Sequence, residues 1–215
     1  MILNQYILAR NKYKPDEVEI LFIAESPPAS GSYFYFPETT GKDSLFNSTM
    51  KALDLYPENK VMKKGLDKTP MLTKFQKQGF FLIDVTYKPI NKIEEEVERK
   101  KAIIREIPAL IEKVKELNPK NIIIIKTPLF KPIKLALEKE GFHRKILHKE
   151  PVPFPGSGNQ KRYQKILREL IFSEKKEMTA PSQIFLAVEQ RIVRFQFSES
   201  QQTLSDKFVL FNSRS

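Results

Sequence analysis

The sequence predicts an α/β fold: a three-layer α/β/α sandwich with a mainly parallel, four-stranded central sheet. Three short apolar runs, at residues 20–24, 80–85 and 121–126, are separated by segments with helical periodicity. These runs are apolar almost throughout, as expected of strands covered on both faces of a parallel sheet. Strands and helices alternate along the body of the chain, which indicates crossover connections between parallel strands.

Helix-capping residues, helix-breaking prolines and glycines, and hydrophobic periodicity predict the other elements. We expect a fourth strand over 142–148, and helices before Pro15, after Asp43 or Ser44, and over 72–78, 93–117, 129–140 and 160–172. Pro108 predicts a kink or a break in the longest helix. We expect the α/β domain to span residues 1–172. Residues 173–215 are poorer in lysine and richer in Gln, Ser and Phe, and they form a C-terminal extension of unknown role.

Composition excludes several chemistries. The 215 residues include no cysteine, which rules out disulfides, thiolate nucleophiles and thiolate-held zinc or iron–sulfur clusters. No apolar stretch approaches the roughly 20 residues of a membrane span, and no signal peptide is recognisable. We therefore expect a cytoplasmic protein with no membrane association.

The net charge of +11 favours a polyanionic partner, nucleic acid first and an anionic lipid surface second. A lysine-rich solvated surface in a heat-adapted organism explains the same charge.

Polar residues follow the first strand at the point where α/β sheets bind ligands. Glu25, Ser26 and two prolines come directly after the apolar run, at the carboxyl end of a predicted parallel strand. A carboxylate in this position is a candidate catalytic group. The alternative is that Glu25 caps a following helix.

An aromatic run, Tyr33-Phe34-Tyr35-Phe36, follows in the next loop. Because four aromatic side chains are costly to leave exposed to water, the loop either folds under the domain or forms the wall of a pocket in which flat ligands stack. We favour the pocket wall. Phe46, on the next predicted helix, offers a further stacking surface.

A glycine turn near the end of the body is a candidate phosphate site. Gly156-Ser157-Gly158-Asn159 precedes a predicted helix that carries Lys161 and Arg162. Backbone N–H groups at a helix start bind phosphate, and the two basic side chains add charge beside them. The alternative is an ordinary turn before a solvated basic helix.

Together, the loops at the strand ends resemble the motifs of the uracil-DNA glycosylase superfamily over about residues 18–170. Residues 24–28, Ala-Glu-Ser-Pro-Pro, resemble the loop that holds the attacking water, and residues 43–47 resemble the segment whose Phe stacks on the flipped base. Residues 82–89 are similar to the strand that carries the base-reading Asn, and 122–128 to the next strand and its turn. Residues 152–157, Val-Pro-Phe-Pro-Gly-Ser, resemble the closing motif that clamps the DNA backbone.

The resemblance, together with the aromatic run and the glycine turn, suggests roles for individual residues. Glu25 and Ser26 would be catalytic, and Phe46, Asp84, Tyr33 and Phe36 would bind the base. Residues that would contact DNA are Lys88, Ser157, Gly158, Asn159, Lys161 and Arg162. No metal and no cofactor is expected, and neither is an iron–sulfur cluster.

Two residues depart from the superfamily pattern. Asp84 stands where the family has its base-reading Asn, and an ionised Asp, which only accepts hydrogen bonds, suits an amino group or a ring N–H. Phe154 stands where the closing motif has a His that stabilises the leaving base. Phenylalanine cannot stabilise an anion, so that contribution is missing unless His148 or Lys88 reaches the site.

These observations predict a monomeric DNA glycosylase of base-excision repair, acting on a deaminated or damaged, uracil-like base in double- or single-stranded DNA. An enzyme that acts on a base must unstack it, hold it between aromatic surfaces and hydrogen-bond its edge. The alternative is a non-catalytic nucleic-acid or nucleotide-binding protein of the same fold. An unrelated α/β nucleotide enzyme is disfavoured, because no Walker loop or Gly-x-Gly-x-x-Gly follows a strand.

Overall fold

The computed structural model describes residues 2–38, 40–41, 43–57, 63–90 and 93–172. All but the last two of these residues belong to one compact unit, Met1–Leu170. The predicted C-terminal extension, 173–215, lies outside the described residues.

The described chain is an α/β fold around a small open sheet. Its three strands are β1 (Ile20–Ala24), β2 (Phe80–Asp84) and β3 (Asn121–Ile124). They are parallel and lie in the order β2-β1-β3, with Ala24 opposite Asp84 and Ile23 opposite Ile124. Every residue of β1 and β2 is buried, so both faces of these strands are covered.

Helices connect and flank the strands. They are α1 (Ile2–Asn11), α2 (Ser44–Ala52), α3 (Thr69–Lys77), α4 (Glu96–Leu117), α5 (Thr127–Lys139) and α6 (160–172). Helix α4 continues through Pro108, which is exposed. Of the two outcomes predicted for this proline, a kink or a break, the break is therefore absent. Gly79, between α3 and β2, has a φ of +72°, and a Cβ there would approach the Glu19 side chain to 2.5 Å. Only glycine fits that turn.

The fourth strand predicted over 142–148 is not formed. Residues His143–Lys145 make a single 3-10 turn instead. Two isolated parallel bridges, from Ile146 to Ile122 and from Val152 to Ile125, run beside β3. The segment is short and basic, and it lacks the continuous apolar pattern of the other three strands.

The aromatic loop closes the open edge of β2. The hydroxyl of Tyr35 donates to the carbonyl oxygen of Leu82 (3.1 Å) and accepts from the Leu82 N–H (2.7 Å). Because β2 is an edge strand, these backbone groups would otherwise lack partners in the sheet. Tyr35 is therefore part of the core. This position agrees with the alternative prediction, in which the aromatic loop folds under the domain.

Candidate active site

A cavity of about 310 Å³ lies at the carboxyl ends of the strands. Glu25 follows β1, Asp84 ends β2 and Lys126 follows β3, and all three line the cavity. Parallel strands end at the same edge of a sheet, so residues far apart in sequence meet there. The site predicted after β1 therefore faces a partly open cavity.

Glu25 is held by two cations from different elements. Its Oε1 accepts from Nε of Arg99 (3.1 Å), and its Oε2 accepts from Nη2 of the same guanidinium and from Nζ of Lys126 (2.5 Å). The Glu25 side chain is 9% exposed, and those of Arg99 and Lys126 are 26% and 23% exposed. Two positive charges thus face the one negative charge of Glu25, and Asp84, which also lines the cavity, offsets the excess to the extent that it is ionised.

The backbone of Lys126 is held in an unusual conformation. Its φ is +90°, a region that side-chain-bearing residues seldom adopt. Its N–H donates to the carbonyl oxygen of Val152 (2.8 Å), which ties the end of β3 to the segment that leads to Phe154. Backbone strain of this kind concentrates at functional sites, where the surrounding structure maintains it.

Asp84 is a buried acid beside Glu25. Burial raises its pKa to about 7, with Glu25 adding to the rise and Arg10 opposing it. Its Oδ2 is buried and has no hydrogen-bond partner among the described residues. At neutral pH a large fraction of Asp84 is therefore the neutral acid, whereas the sequence-based argument assumed an ionised group.

Aromatic rings form another wall of the cavity. Phe34 and Phe46 meet edge to face with centroids 5.3 Å apart, and Tyr33 lines the same space. The hydroxyl of Tyr33 is buried and, like Oδ2 of Asp84, has no partner within the described part of the chain. Burial, together with the nearby Asp84, raises the pKa of Tyr33 well above its ordinary value. The lining thus combines aromatic rings with two residues, Tyr33 and Asp84, whose buried polar atoms have no partner among the described residues.

The structure brings some of the predicted site residues together and places others elsewhere. Those that line the cavity are Glu25, Ser26, Tyr33, Phe46 and Asp84. Phe36 is outside the lining and stacks on Tyr6, with the centroids 5.5 Å apart. Also outside it are the residues predicted to contact DNA, all exposed or half-buried: Lys88, Ser157, Gly158, Asn159, Lys161 and Arg162.

Sequence reasoning missed Arg99 and Lys126. Arg99 lies in a run of Glu and Lys whose pattern is typical of a solvated helix face, so nothing marked one arginine for a buried role. Lys126 was counted as the end of the third strand. The rule that located Glu25, a polar residue directly after an apolar strand, also applies to Lys126 and would have found it.

Neither residue suggested as a replacement for the missing His reaches the cavity. His148 is buried, and its Nε2 accepts from the Ile124 N–H (2.9 Å). Its Nδ1 must then carry the proton and donate to the carbonyl oxygen of Glu150 (2.8 Å). Burial lowers the pKa of His148, which keeps the ring neutral. Lys88 is exposed and outside the lining, whereas Phe154 is part of it.

Searches for relatives give no assignment. No protein-family model matches the chain, and no curated protein matches it significantly. In the described ranges, no group of three or more His, Asp or Glu side chains is arranged to hold a metal ion. None of the described helices is long and apolar enough to cross a membrane.

Proposed function

We propose that this protein is a DNA glycosylase with the fold of the uracil-DNA glycosylase superfamily, hydrolysing the N-glycosidic bond of a deaminated or damaged, uracil-like base in base-excision repair. In such a fold the central sheet has four strands. The expectation of a fourth strand is supported by two parallel bridges, one from Ile146 to Ile122 of β3 and one from Val152 to Ile125 directly after β3.

The observation that carries the proposal is the composition of the cavity. Phe34 and Phe46 supply the apolar part of the lining, and Tyr33 and Asp84, which also line the cavity, each carry a buried polar atom without a partner among the described residues. Buried polar groups are nearly always satisfied, so two such atoms in one cavity favour a polar ligand. At about 310 Å³ the space is at the small end of ligand sites. It suits one nucleobase better than a dinucleotide.

Glu25 has the position and the spare capacity to hold the attacking water. An ionised carboxylate offers about four acceptor sites, and Arg99 and Lys126 occupy three of those on Glu25. The remaining site is on Oε1. The two cations fix the carboxylate in one orientation, so a water bound there is directed before the substrate arrives. The negative charge also favours the positive charge that develops on the sugar.

Asp84 suits the edge of a base that carries a carbonyl next to a ring N–H. A neutral carboxylic acid donates through its O–H and accepts through its carbonyl oxygen, as the amide of Asn does. Uracil and hypoxanthine both present a carbonyl acceptor beside an N–H donor. The raised pKa of Asp84 therefore supports the same substrates that an Asn would read at this position.

A second candidate is a nucleic-acid or nucleotide-binding protein that does not catalyse hydrolysis. It is favoured by the ion pairs of Glu25, because both carboxylate oxygens already contact cations in this structure. Phe154, where the superfamily pattern has a His, favours the same interpretation.

The deciding experiment measures abasic sites after alkali treatment of double- and single-stranded oligonucleotides that carry uracil, hypoxanthine or xanthine. We expect release of at least one base by the wild-type protein and at least a 100-fold slower release by Glu25→Gln, since this change removes the charge that faces the sugar. DNA binding should remain near the wild-type level.

The matched control is Glu112→Gln on α4, whose side chain is 73% exposed and outside the cavity lining. It should release base at the wild-type rate. Binding to DNA without release of any base would favour the binding protein over the glycosylase. Equal rates for Glu25→Gln and the wild type would remove Glu25 from the mechanism.

A further inference from the structure

Cleavage of the glycosidic bond leaves a negative charge that some group in the cavity must stabilise. The bond between C1′ and the base nitrogen breaks, and its electron pair departs with the base. The water oxygen supplies the electrons of the new bond to C1′, and its proton finally reaches the base, so the sum is hydrolysis. In the transition state the base is partly anionic, and cationic donors placed beside it accelerate the reaction.

Among the described residues, the cations that line the cavity are Arg99 and Lys126. Each has donors that Glu25 does not use: one ammonium hydrogen of Lys126 is bonded to Glu25, and the Nη1 group of Arg99 makes no hydrogen bond to it. An ammonium group has three donors and a guanidinium has five. Both side chains can therefore keep Glu25 in place and still donate to a ligand.

The order of the strands places Lys126 across the site from Asp84. Asp84 is on β2, Glu25 follows the central strand β1, and Lys126 follows β3. Neighbouring strands are about 4.8 Å apart, so the backbones of the two outer residues are separated by about 10 Å, which leaves room for a base between them. A base whose hydrogen-bonding edge faces Asp84 thus presents its glycosidic side toward Glu25 and Lys126.

We propose that Lys126, assisted by Arg99, stabilises the negative charge on the departing base and so performs the role for which this chain has no His. The inference rests on the proposed glycosylase function. It accounts for the presence of two cations at Glu25, where one would be enough to neutralise the carboxylate. It also gives a reason for the strained backbone at Lys126, which holds the residue at the edge of the cavity.

The test varies the acidity of the leaving base. Uracil and 5-fluorouracil differ little in shape, but 5-fluorouracil is the more acidic and leaves more easily without help. We expect Lys126→Met to slow uracil release by 100- to 1,000-fold and 5-fluorouracil release by less than 10-fold. Lys126→Arg keeps the charge and should recover most of the lost rate. Lys131→Met on α5, exposed and outside the cavity lining, is the matched control and should leave both rates unchanged.

Each alternative outcome has a distinct meaning. Equal losses for the two bases in Lys126→Met would make Lys126 a positioning residue for Glu25 and overturn the inference, while the glycosylase function would stand. Release of neither base by the wild-type protein would overturn the function and the inference together.

The pH profile of Lys126→Arg provides a second readout that does not depend on the stability of Lys126→Met. Burial lowers the pKa of Lys126, with Glu25 opposing this change and Arg99 adding to it. The comparison is made in an Asp84→Asn background, which removes the titration of Asp84 from the profile. There the rate should fall at alkaline pH as the ammonium group loses its proton, and the addition of Lys126→Arg should move the fall to higher pH. Coincident profiles would overturn the inference.

Discussion

The ammonium nitrogen of Lys68 lies 4.5 Å from the centroid of the Phe46 ring. This lysine is completely buried, and it also donates to the carbonyl oxygen of Tyr33 (2.7 Å) and lies 4.0 Å from Oδ2 of Asp43. Burial lowers its pKa to about 8, against the opposing effect of Asp43. Lys68 thus joins the aromatic loop to the start of α2 and fixes Phe46, which lines the cavity but is only 1% exposed.

This packing determines how stacking by Phe46 must be tested. Phe46→Ala would remove a core side chain and cost about 3–5 kcal/mol of folding free energy, which would obscure any effect on binding. We therefore predict for Phe46→Leu that affinity for DNA carrying the excised base falls by about 1–3 kcal/mol, because the stacking surface is lost. Fluorescence anisotropy at fixed salt measures it.

Phe75→Leu is the matched control, because Phe75 is fully buried in the same aromatic cluster but does not line the cavity. It should lower stability by a similar amount and leave DNA affinity unchanged. If the two variants bind alike, Phe46 is a core residue and nothing more.

We predict that Tyr35→Phe destabilises the fold by about 1–3 kcal/mol. The change leaves the N–H and the carbonyl oxygen of Leu82 buried without their partner. Urea denaturation measures the loss, and the Leu82 amide should exchange its hydrogen faster.

Tyr13→Phe is the comparison, because Tyr13 stacks on Tyr35 with centroids 6.0 Å apart and its buried hydroxyl has no partner among the described residues. Removal of that hydroxyl should be neutral or stabilising. A similar loss in both variants would mean that ring packing, and not the bonds to Leu82, explains the effect.

The strands and their end residues could be predicted because their signals are local. An apolar run followed by a polar turn marks Glu25 and Asp84 as residues at one edge of the sheet, whatever surrounds them. The partners of Glu25 could not be predicted in the same way. Arg99 comes from the first turn of a helix in which half of the residues are charged, and only the packing of that helix selects it. The pKa of Asp84 likewise depends on burial, which the sequence alone does not specify.

The buried acid predicts how stability depends on pH. The pKa of Asp84 is about 7 in the folded chain and 3.8 in its unperturbed state. Because the folded state holds its proton more tightly, Asp84 favours folding at low pH, and this contribution is lost as pH rises from about 4 to about 7. Asp84→Asn cannot ionise and should gain stability relative to the wild type by on the order of 2–3 kcal/mol between pH 5 and pH 8.

Urea denaturation at the two pH values measures this gain. Asp16→Asn, at an exposed position, should show no such change. A constant difference between Asp84→Asn and the wild type would mean that Asp84 is ionised throughout this range.

The same titration should govern recognition of the base. If the neutral acid binds the carbonyl and the ring N–H, kcat/KM of the wild type falls as pH rises through about 7. Asp84→Asn should lack this fall, because an amide donates and accepts at every pH in the range. Base release measured from pH 5.5 to 9 decides the question. A rate that rises with ionisation of Asp84 would indicate that the substrate presents an amino group instead.

The start of α6 predicts how DNA binding depends on salt. Ser157 and Gly158 both have positive φ, at 49° and 85°, and α6 begins at residue 160 with Lys161 and Arg162 exposed on its first turn. If both side chains contact phosphates, the double variant Lys161→Ala/Arg162→Ala releases about two fewer counterions on binding. The slope of log affinity against log salt should then become less steep by about 1.8.

The control is the double variant Lys139→Ala/Lys131→Ala, which removes two exposed charges from α5 and should leave the slope unchanged. Equal slopes for the wild type and the α6 variant would place the DNA contacts on another surface.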